Sequence, residues 1–401
     1  MNLRDTPEQA RFRSEVRSWL AANLPPAWGT PAYRAPQSGD ERVAFGRAWQ
    51  RKLHDGGFAG LEWPRACGGR GASAIESLIF GEEYARVRAP ELVQLAVGTH
   101  LVGPTLIACG TAQQQQRHLA PILRGEEVWC QGFSEPNAGS DLASLRTRGD
   151  VQGDAVVVSG QKIWTSFAQH ADWCILVVRT EPDSQRHRGL SFLLVDMKTP
   201  GITIRPLREI TGEAWFNEVF LDAVRVPIAN LVGTLHRGWD VVVTTLAHER
   251  GSTAAFARLG ATLAQLTALA RRTPSATGGG SAARDPSIRQ RLAQYWTEVA
   301  ALRMSAYRSA SALEAGAVPG PEGSTLKLAW SELEQRVMDT AIEISGLAGL
   351  LAEGEADAVD AGFWGHELLW SRAATIYAGT SEVQRNILAQ RVLGLPRAAR
   401  S

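Results

Sequence analysis

The chain has 401 residues, enough for two or three domains rather than one. Its apolar fraction of 44% suits a sizeable core, and 42 Lys and Arg against 41 Asp and Glu leave a formal net charge of +1. That balance, without a basic tract interleaved with aromatics, gives no support to a nucleic-acid or other polyanion partner and leaves a small-molecule ligand as the default. The cysteines Cys67, Cys109, Cys130 and Cys174 form no C-x-x-C pair and have no histidines at zinc-ligand spacing, so no metal site is expected and the thiols read as reduced. Met1-Asn2-Leu3-Arg4-Asp5 has no apolar signal core, and no apolar run reaches the roughly 18 residues of a spanning helix. These features predict a cytoplasmic protein with no membrane span.

Three regions follow in chain order. Residues 1–127 read as a helical N-terminal domain. Thr6 and Gln9 form a capping box around Pro7, and Phe12, Val16, Trp19 and Leu20 follow at helical spacing. Thr111 and Gln114 form a second box, and Gln113–Gln116 reads as the polar face of that helix. Residues 128–235 read as a middle β domain. Val156-Val157-Val158, Ile175–Val178, Phe192–Val195, Val219-Phe220-Leu221 and Val224–Val226 are short β-rich runs punctuated by Gly153, Gly160 and Pro200-Gly201, which predicts an antiparallel sheet or barrel. Residues 236–401 read as helical again. One long helix is expected to carry Val241, Leu246, Glu249, Phe256, Leu259 and Leu263, with Leu246, Glu249 and Thr253 on one face. The Gly- and Ser-rich stretch 273–286 reads as a flexible connection, and helices are expected over 288–314, 324–344 and 381–391. The fold class is multidomain α+β, helices then strands then helices.

Three stretches could carry chemistry. Gly132-Phe133-Ser134-Glu135-Pro136-Asn137-Ala138-Gly139-Ser140-Asp141 has small residues that let the backbone approach a ligand, although the same residues make ordinary turns. Gln161-Lys162-Ile163-Trp164-Thr165-Ser166 places an indole beside a hydroxyl, which suits a planar cofactor but equally a strand with one core Trp. Ile376-Tyr377-Ala378-Gly379-Thr380-Ser381-Glu382-Val383-Gln384-Arg385 opens the last helix, with Ser381 as the expected cap. Gly68-Gly69-Arg70-Gly71 is no dinucleotide fingerprint, because no strand leads into it.

Together these stretches resemble the acyl-CoA dehydrogenase family over nearly the whole chain, along with Ile210-Thr211-Gly212, Phe216–Val219, Val226-Pro227 and Leu393-Gly394-Leu395-Pro396. The resemblance implies a helical N-terminal domain, a central antiparallel β domain and a C-terminal four-helix bundle. It also implies FAD as cofactor, an acyl-CoA substrate, and an electron-transferring flavoprotein as acceptor. Carried over by position, Gln131, Phe133, Ser134, Gly139 and Ser140 would contact FAD from one segment. Trp164 and Ser166 would meet the flavin ring, with Ser166 near N5, and Thr380 and Glu382 would reach the adenosine end. The implied reaction removes a proton from the α-carbon of the thioester while the β-hydrogen passes to N5 as hydride.

Two departures refine this picture. Many members carry the catalytic base as a glutamate directly before the Gly-Thr of the last motif, and here that residue is Ala378. A subset places the base on the first helix of the C-terminal domain beside an arginine, which makes Glu249 the candidate base and Arg250 its ordering neighbour, although a solvated Glu-Arg pair would have the same sequence. The backbone N–H of Ala378 remains available to the thioester oxygen by the same resemblance. The Arg-x-x-Phe-Gly segment that reaches a neighbouring subunit's FAD is missing from 273–286, and Glu343 stands where the family has an FAD-contacting glutamine. The chain thus resembles the catalytic subunit of the heteromeric acyl-CoA dehydrogenases, which implies an α2β2 assembly with a homologous subunit and a bulky acyl chain such as a steroid side chain. A non-catalytic subunit that completes its partner's FAD site, and a flavin oxidase or monooxygenase on the same scaffold, stand as alternatives.

Overall fold

The computed structural model describes residues 4–30, 32–36, 38–249, 255–276, 278–317, 320–321 and 323–396, with the side chains of His248 and Glu249 excepted. In chain order the helices α1 (Pro7–Asn23), α2 (Gly39–Asp55), α3 (Ala74–Arg86), α4 (Val93–Ala96), α5 (Gly103–Cys109) and α6 (Ala112–Leu123) come first. The strands β1 (Trp129–Gly132), β2 (Arg148–Gln152), β3 (Ala155–Lys162), β4 (Trp173–Arg179), β5 (Leu190–Asp196), β6 (Ile202–Leu207), β7 (Phe216–Pro227) and β8 (Leu231–Val232) follow. The chain then runs through α7 (Gly238–Glu249), α8 (Ala255–Arg272), α9 (Pro286–Glu314), α10 (Gly323–Ser345), α11 (Phe363–Ala374) and α12 (Ser381–Ile387). The fold class is the expected one.

Capping boxes start α1 at Thr6 and α6 at Thr111, as the spacing predicts, and also α2 at Ser38 and α3 at Ser73. Gln114 is no part of an exposed polar face. It is buried, and its Nε2 donates to the carbonyls of Ala229 and Leu231, both at 2.9 Å. The stretch 273–286 folds back on itself through a bridge between Pro274 and Ser281, then Asp285 caps α9. No helix among the described residues is long and apolar enough to cross a membrane. The long helix expected to run from Val241 to Leu263 is described in two pieces, and Arg250 and Thr253 lie outside the described residues.

The chain forms two compact units. One comprises Pro25–Ala72 and Pro90–Glu249 and holds the eight-stranded sheet, ordered β6-β7-β3-β2-β4-β5-β8. Most neighbours are antiparallel, while β1 lies parallel to β4, as β2 does at one residue pair. β4 and β5 are nearly continuous apolar runs because both of their faces are covered, whereas β7 alternates. Val156, Val158, Leu176, Val178, Leu193, Val195, Leu221 and Val224 form the core of the sheet.

The other unit comprises Met1–Leu24, Ser73–Ala89 and Arg250–Ser401. Here α8, α9, α10 and α11 pack around Leu259, Leu263, Leu266, Tyr295, Leu333, Met338 and Trp364, with Leu78 of α3 in the same cluster. The helical N-terminal region is thus divided, α1 and α3 joining the bundle while α2 and α4–α6 join the sheet. Glu83 on α3 ties α1 in, since its carboxylate accepts from Arg13, Arg17 and Arg86 at 3.0, 2.7 and 2.9 Å. Burial pushes the Glu83 pKa up, but the three guanidiniums overcome it and hold the group at about 2, against an ordinary 4.5. A depressed carboxylate stabilises the fold fully above its unfolded pKa, and that contribution is lost as pH falls through the folded value. We predict that Glu83→Gln costs about 3 kcal/mol at neutral pH. It should also flatten the acid limb of the stability curve between pH 4.5 and about 2, read by circular dichroism at a series of pH values.

Candidate active site

The first half of the site lies in the sheet unit. β1 ends at Gly132, where a Cβ would sit 2.7 Å from Leu176 Cδ1 and 3.0 Å from Cys174 Sγ, so a larger residue would have to push these β4 side chains aside. Glu135 and Ala138 then close a tight turn through two backbone hydrogen bonds of 3.1 and 3.0 Å. Gly139 and Ser140 are exposed at its end, and a Cβ on Gly139 would meet nothing within 4 Å. Packing inside this chain therefore does not demand a glycine at 139, and the backbone is left open to a ligand.

The second stretch lies against the first. Ile163 N–H donates to Ser134 O at 3.0 Å, which joins the stretch that carries Phe133 and Ser134 to the one that carries Trp164 and Ser166. Trp164 has φ 59° and Phe167 φ 55°, left-handed values that are uncommon for bulky residues and persist only where surrounding bonds enforce them. The enforcing bonds are Thr165 N–H to Asn217 O at 3.0 Å, Asn217 Nδ2 to Thr165 O at 3.0 Å, and Phe167 N–H to Trp215 O at 2.8 Å. The Trp164 indole, with Phe216 edge-on at 6.0 Å, is 58% exposed. It is not the core Trp that the strand reading allowed. A large aromatic held out by a constrained backbone suits stacking on a planar ring.

Beneath both stretches lies an ion pair to which the sequence reading gave no role. Lys162 is wholly buried, and its Nζ donates to Phe133 O at 3.0 Å and to Glu135 Oε1 at 2.9 Å. Glu135 also accepts from the backbone N–H groups of Arg146 and Thr147 at 2.6 and 2.8 Å. Burial pushes the Glu135 pKa up, but Lys162 and these donors outweigh it and hold the carboxyl below its ordinary value. The sequence did carry a signal. Val156, Val158 and Lys162 occupy inward positions of β3, so the lysine had to find a counter-charge inside.

The last motif lies in the bundle unit. The cap of α12 is Thr380, whose hydroxyl accepts from Val383 N–H at 3.2 Å, rather than Ser381 as expected. Ser381 is instead buried at the first helical position with its hydroxyl unpartnered, and the Gln384 Oε1 is likewise buried and unpartnered. Thr380, Ser381 and Glu382 line a cleft of about 450 Å³ with Glu332, Gln335, Thr375, Ile376 and Arg385. Hydrogen bonds at the helix start, first from the Glu382 backbone and then from Thr380, lower the Glu382 pKa. Ala378 stands just before, in left-handed backbone with φ 53°. Glu249 is the last helical residue of α7, and Arg250 lies outside the described residues.

Each unit, taken by itself, has features that suit part of a flavin dinucleotide. The sheet unit offers an exposed indole and an open glycine turn, and the bundle unit offers a cleft with an unsatisfied buried hydroxyl. Among the described residues no cluster of His, Cys, Asp and Glu could hold a metal ion.

Three family profiles match the chain. The acyl-CoA dehydrogenase N-terminal domain matches residues 6–126, the middle domain 130–224 and the C-terminal domain 236–393. The chain is 44% identical over 397 residues to the acyl-CoA dehydrogenase IpdE1 of Mycobacterium tuberculosis, covering 97% of this chain and 98% of the relative. Among solved structures, the ChsE4-ChsE5 complex from Mycobacterium tuberculosis is similar with a TM-score of 0.85 and 33% identity, over 99% of this chain and 100% of that one. The Tcur3481-Tcur3483 steroid ACAD is similar with a TM-score of 0.84 and 31% identity, over 99% and 100%. The chain belongs to the acyl-CoA dehydrogenase family, FAD-dependent oxidoreductases that act on the CH–CH bond of acyl-CoA thioesters.

Proposed function

We propose that this chain is a catalytic subunit that oxidises a bulky acyl-CoA at its α,β bond, with Glu249 as the base. The observation that carries this reading is Ala378. The residue before Gly379-Thr380 has no group that takes a proton, so the carboxylate has to come from another element, and Glu249 closes α7. The α-proton of a thioester is weakly acidic, and an ordinary glutamate near 4.3 is a weak base. Enclosure by the acyl chain and flavin raises such a carboxylate toward the working pH. In this reading Arg250 is assigned the ordering of the pocket around Glu249, and the Ala378 N–H the negative charge that develops on the thioester oxygen.

FAD, when bound, supplies the two-electron acceptor for the β-carbon. Gln131, Phe133, Ser134, Gly139, Ser140, Trp164 and Ser166 would hold its flavin half, and Thr380 and Glu382 its adenosine half. The Lys162–Glu135 pair keeps the two flavin segments together beneath it.

A homologous partner completes the cofactor site in this reading, in an α2β2 assembly. Glu343 occupies the position of the family's FAD-contacting glutamine, and both of its oxygens accept from Arg291 at 2.6 Å. Those bonds, more than any other influence, hold the Glu343 pKa below its ordinary value, so the side chain is an ionised acceptor engaged by Arg291 and has no amide N–H to offer a cofactor. The likeness to a structure described as a complex and to one described as a steroid ACAD supports the heteromer and the steroid side chain respectively. An electron-transferring flavoprotein is the acceptor, and the four free thiols suit a reducing cytoplasm.

Two outcomes follow. Glu249→Gln should retain its FAD absorbance yet lose flavin bleaching by a steroid side-chain CoA by about 10³-fold or more. Bleaching at the parent rate would remove Glu249 from the mechanism. Expressed alone, the chain should purify with well under one FAD per subunit, and co-expression with a homologous partner should restore a full complement. Full occupancy and turnover by the single chain would exclude the heteromer.

A further inference from the structure

The turn before α12 has two consecutive residues in left-handed backbone, Ala378 at φ 53° and Gly379 at φ 87°. Glycine adopts this conformation freely, but alanine does not, because its Cβ crowds the following carbonyl. A strained turn of this kind persists only where its surroundings over-determine it. Two side chains from either side of the turn do so.

Lys327 on α10 is only 5% exposed, and its Nζ donates to Gly379 O at 2.8 Å. Gln384 on α12 donates from Nε2 to Ala378 O at 2.8 Å and to Gly379 O at 3.3 Å. The lysine Nζ also lies 5.9 Å from the centroid of the Tyr377 ring. Both carbonyls of the turn are therefore held from the protein side, one of them by a charge-assisted bond. A lysine on a bundle helix ordinarily keeps its head in water, and burying it against a turn carries a desolvation cost that general stability does not require. The neighbouring peptide N–H, that of Ala378, is the group assigned above to the thioester oxygen.

We infer that Lys327, together with the Gln384 amide, is a positioning residue for α-proton removal: the two donors lock the Ala378–Gly379 turn so that the Ala378 N–H stays aimed at the thioester oxygen. This rests on the role given to Ala378 in the proposed function. The lysine touches neither substrate nor reacting atom. It acts by keeping one amide from rotating away as charge grows on the oxygen, where preorganised donors are worth most.

The test uses the FAD-loaded enzyme with its partner subunit and the variants Lys327→Met and Lys327→Arg. The probe is a 3-thia acyl-CoA, whose α-carbon can lose a proton but whose β-position is a sulfur with no hydrogen to pass on as hydride. Its deprotonation is followed by the long-wavelength absorption of an enolate lying beside oxidised flavin. Lys327→Met should keep its FAD content and a KM within about threefold of the parent, while kcat falls about 10²-fold. The pH midpoint of probe deprotonation should rise by about one unit, and Lys327→Arg should recover most of both effects. A kcat within about twofold of the parent, an unmoved midpoint, or a loss of rate matched by loss of FAD would each overturn the proposal. If Lys327→Met does not fold, Gln384→Leu removes the other clamp on the same carbonyls and carries the same expectations. Glu249→Gln measured alongside separates the two readings. Probe deprotonation that survives in that variant refutes the base, whereas the midpoint shift in the Lys327 variants reports on the turn whichever group takes the proton.

Discussion

A lysine ammonium inside a sheet core must be met by a carboxylate, and the segments around Glu135 and Trp164 are organised around that requirement. Lys162 ends β3 pointing inward, and Glu135 ends the Gly132–Glu135 segment pointing back at it. Because the same ammonium also grips the Phe133 carbonyl, two segments 27 residues apart in sequence behave as one rigid piece. The left-handed backbone at Trp164 and Phe167 begins two residues later. Strain of that kind needs a fixed foundation, and the ion pair supplies it at one end while Asn217 supplies it at the other.

The bundle unit follows the same logic with different groups. Its last motif is a strained turn whose carbonyls are held by Lys327 and Gln384 and whose following helix is started by Thr380. In both units the chain keeps unusual backbone rigid by donating side-chain hydrogen bonds to main-chain oxygens. The backbone N–H groups and exposed rings of those segments are then left for ligands. Alanine before Gly379 leaves the turn without an ionisable side chain, and the bonds that hold its carbonyls do not depend on one.

Much of the fold was legible because its signals are local. The capping boxes at Thr6 and Thr111 need only four residues each, and the β-rich runs declare themselves by residue type and punctuation. The motifs were legible as motifs. What escaped were features fixed by distant partners. Gln114 reads as surface because amides usually are, yet it satisfies carbonyls 115 and 117 residues away. Thr380 rather than Ser381 caps α12 because the left-handed Gly379 decides where the helix can begin, and both residue types can cap. Lys162 and Glu135 stand inside recognisable motifs, but pairing them requires knowing that β3 returns beneath the turn after β1.

The division of the N-terminal region between two units bears on how the molecule is made. The unit carrying the last motif draws on residues before Leu24, on Ser73–Ala89 and on everything after Arg250. Its segment Ser73–Ala89 carries α3, which leaves the ribosome long before α8 and α9, the helices it packs against, exist. Only Pro25–Ala72 and Pro90–Glu249, the sheet unit, can close while synthesis continues. During that interval Leu78 of α3, which belongs to the bundle's core cluster, has no bundle to cover it. The nascent chain is therefore exposed to aggregation and chaperone capture at α3, and the last-made segments are the ones that relieve it.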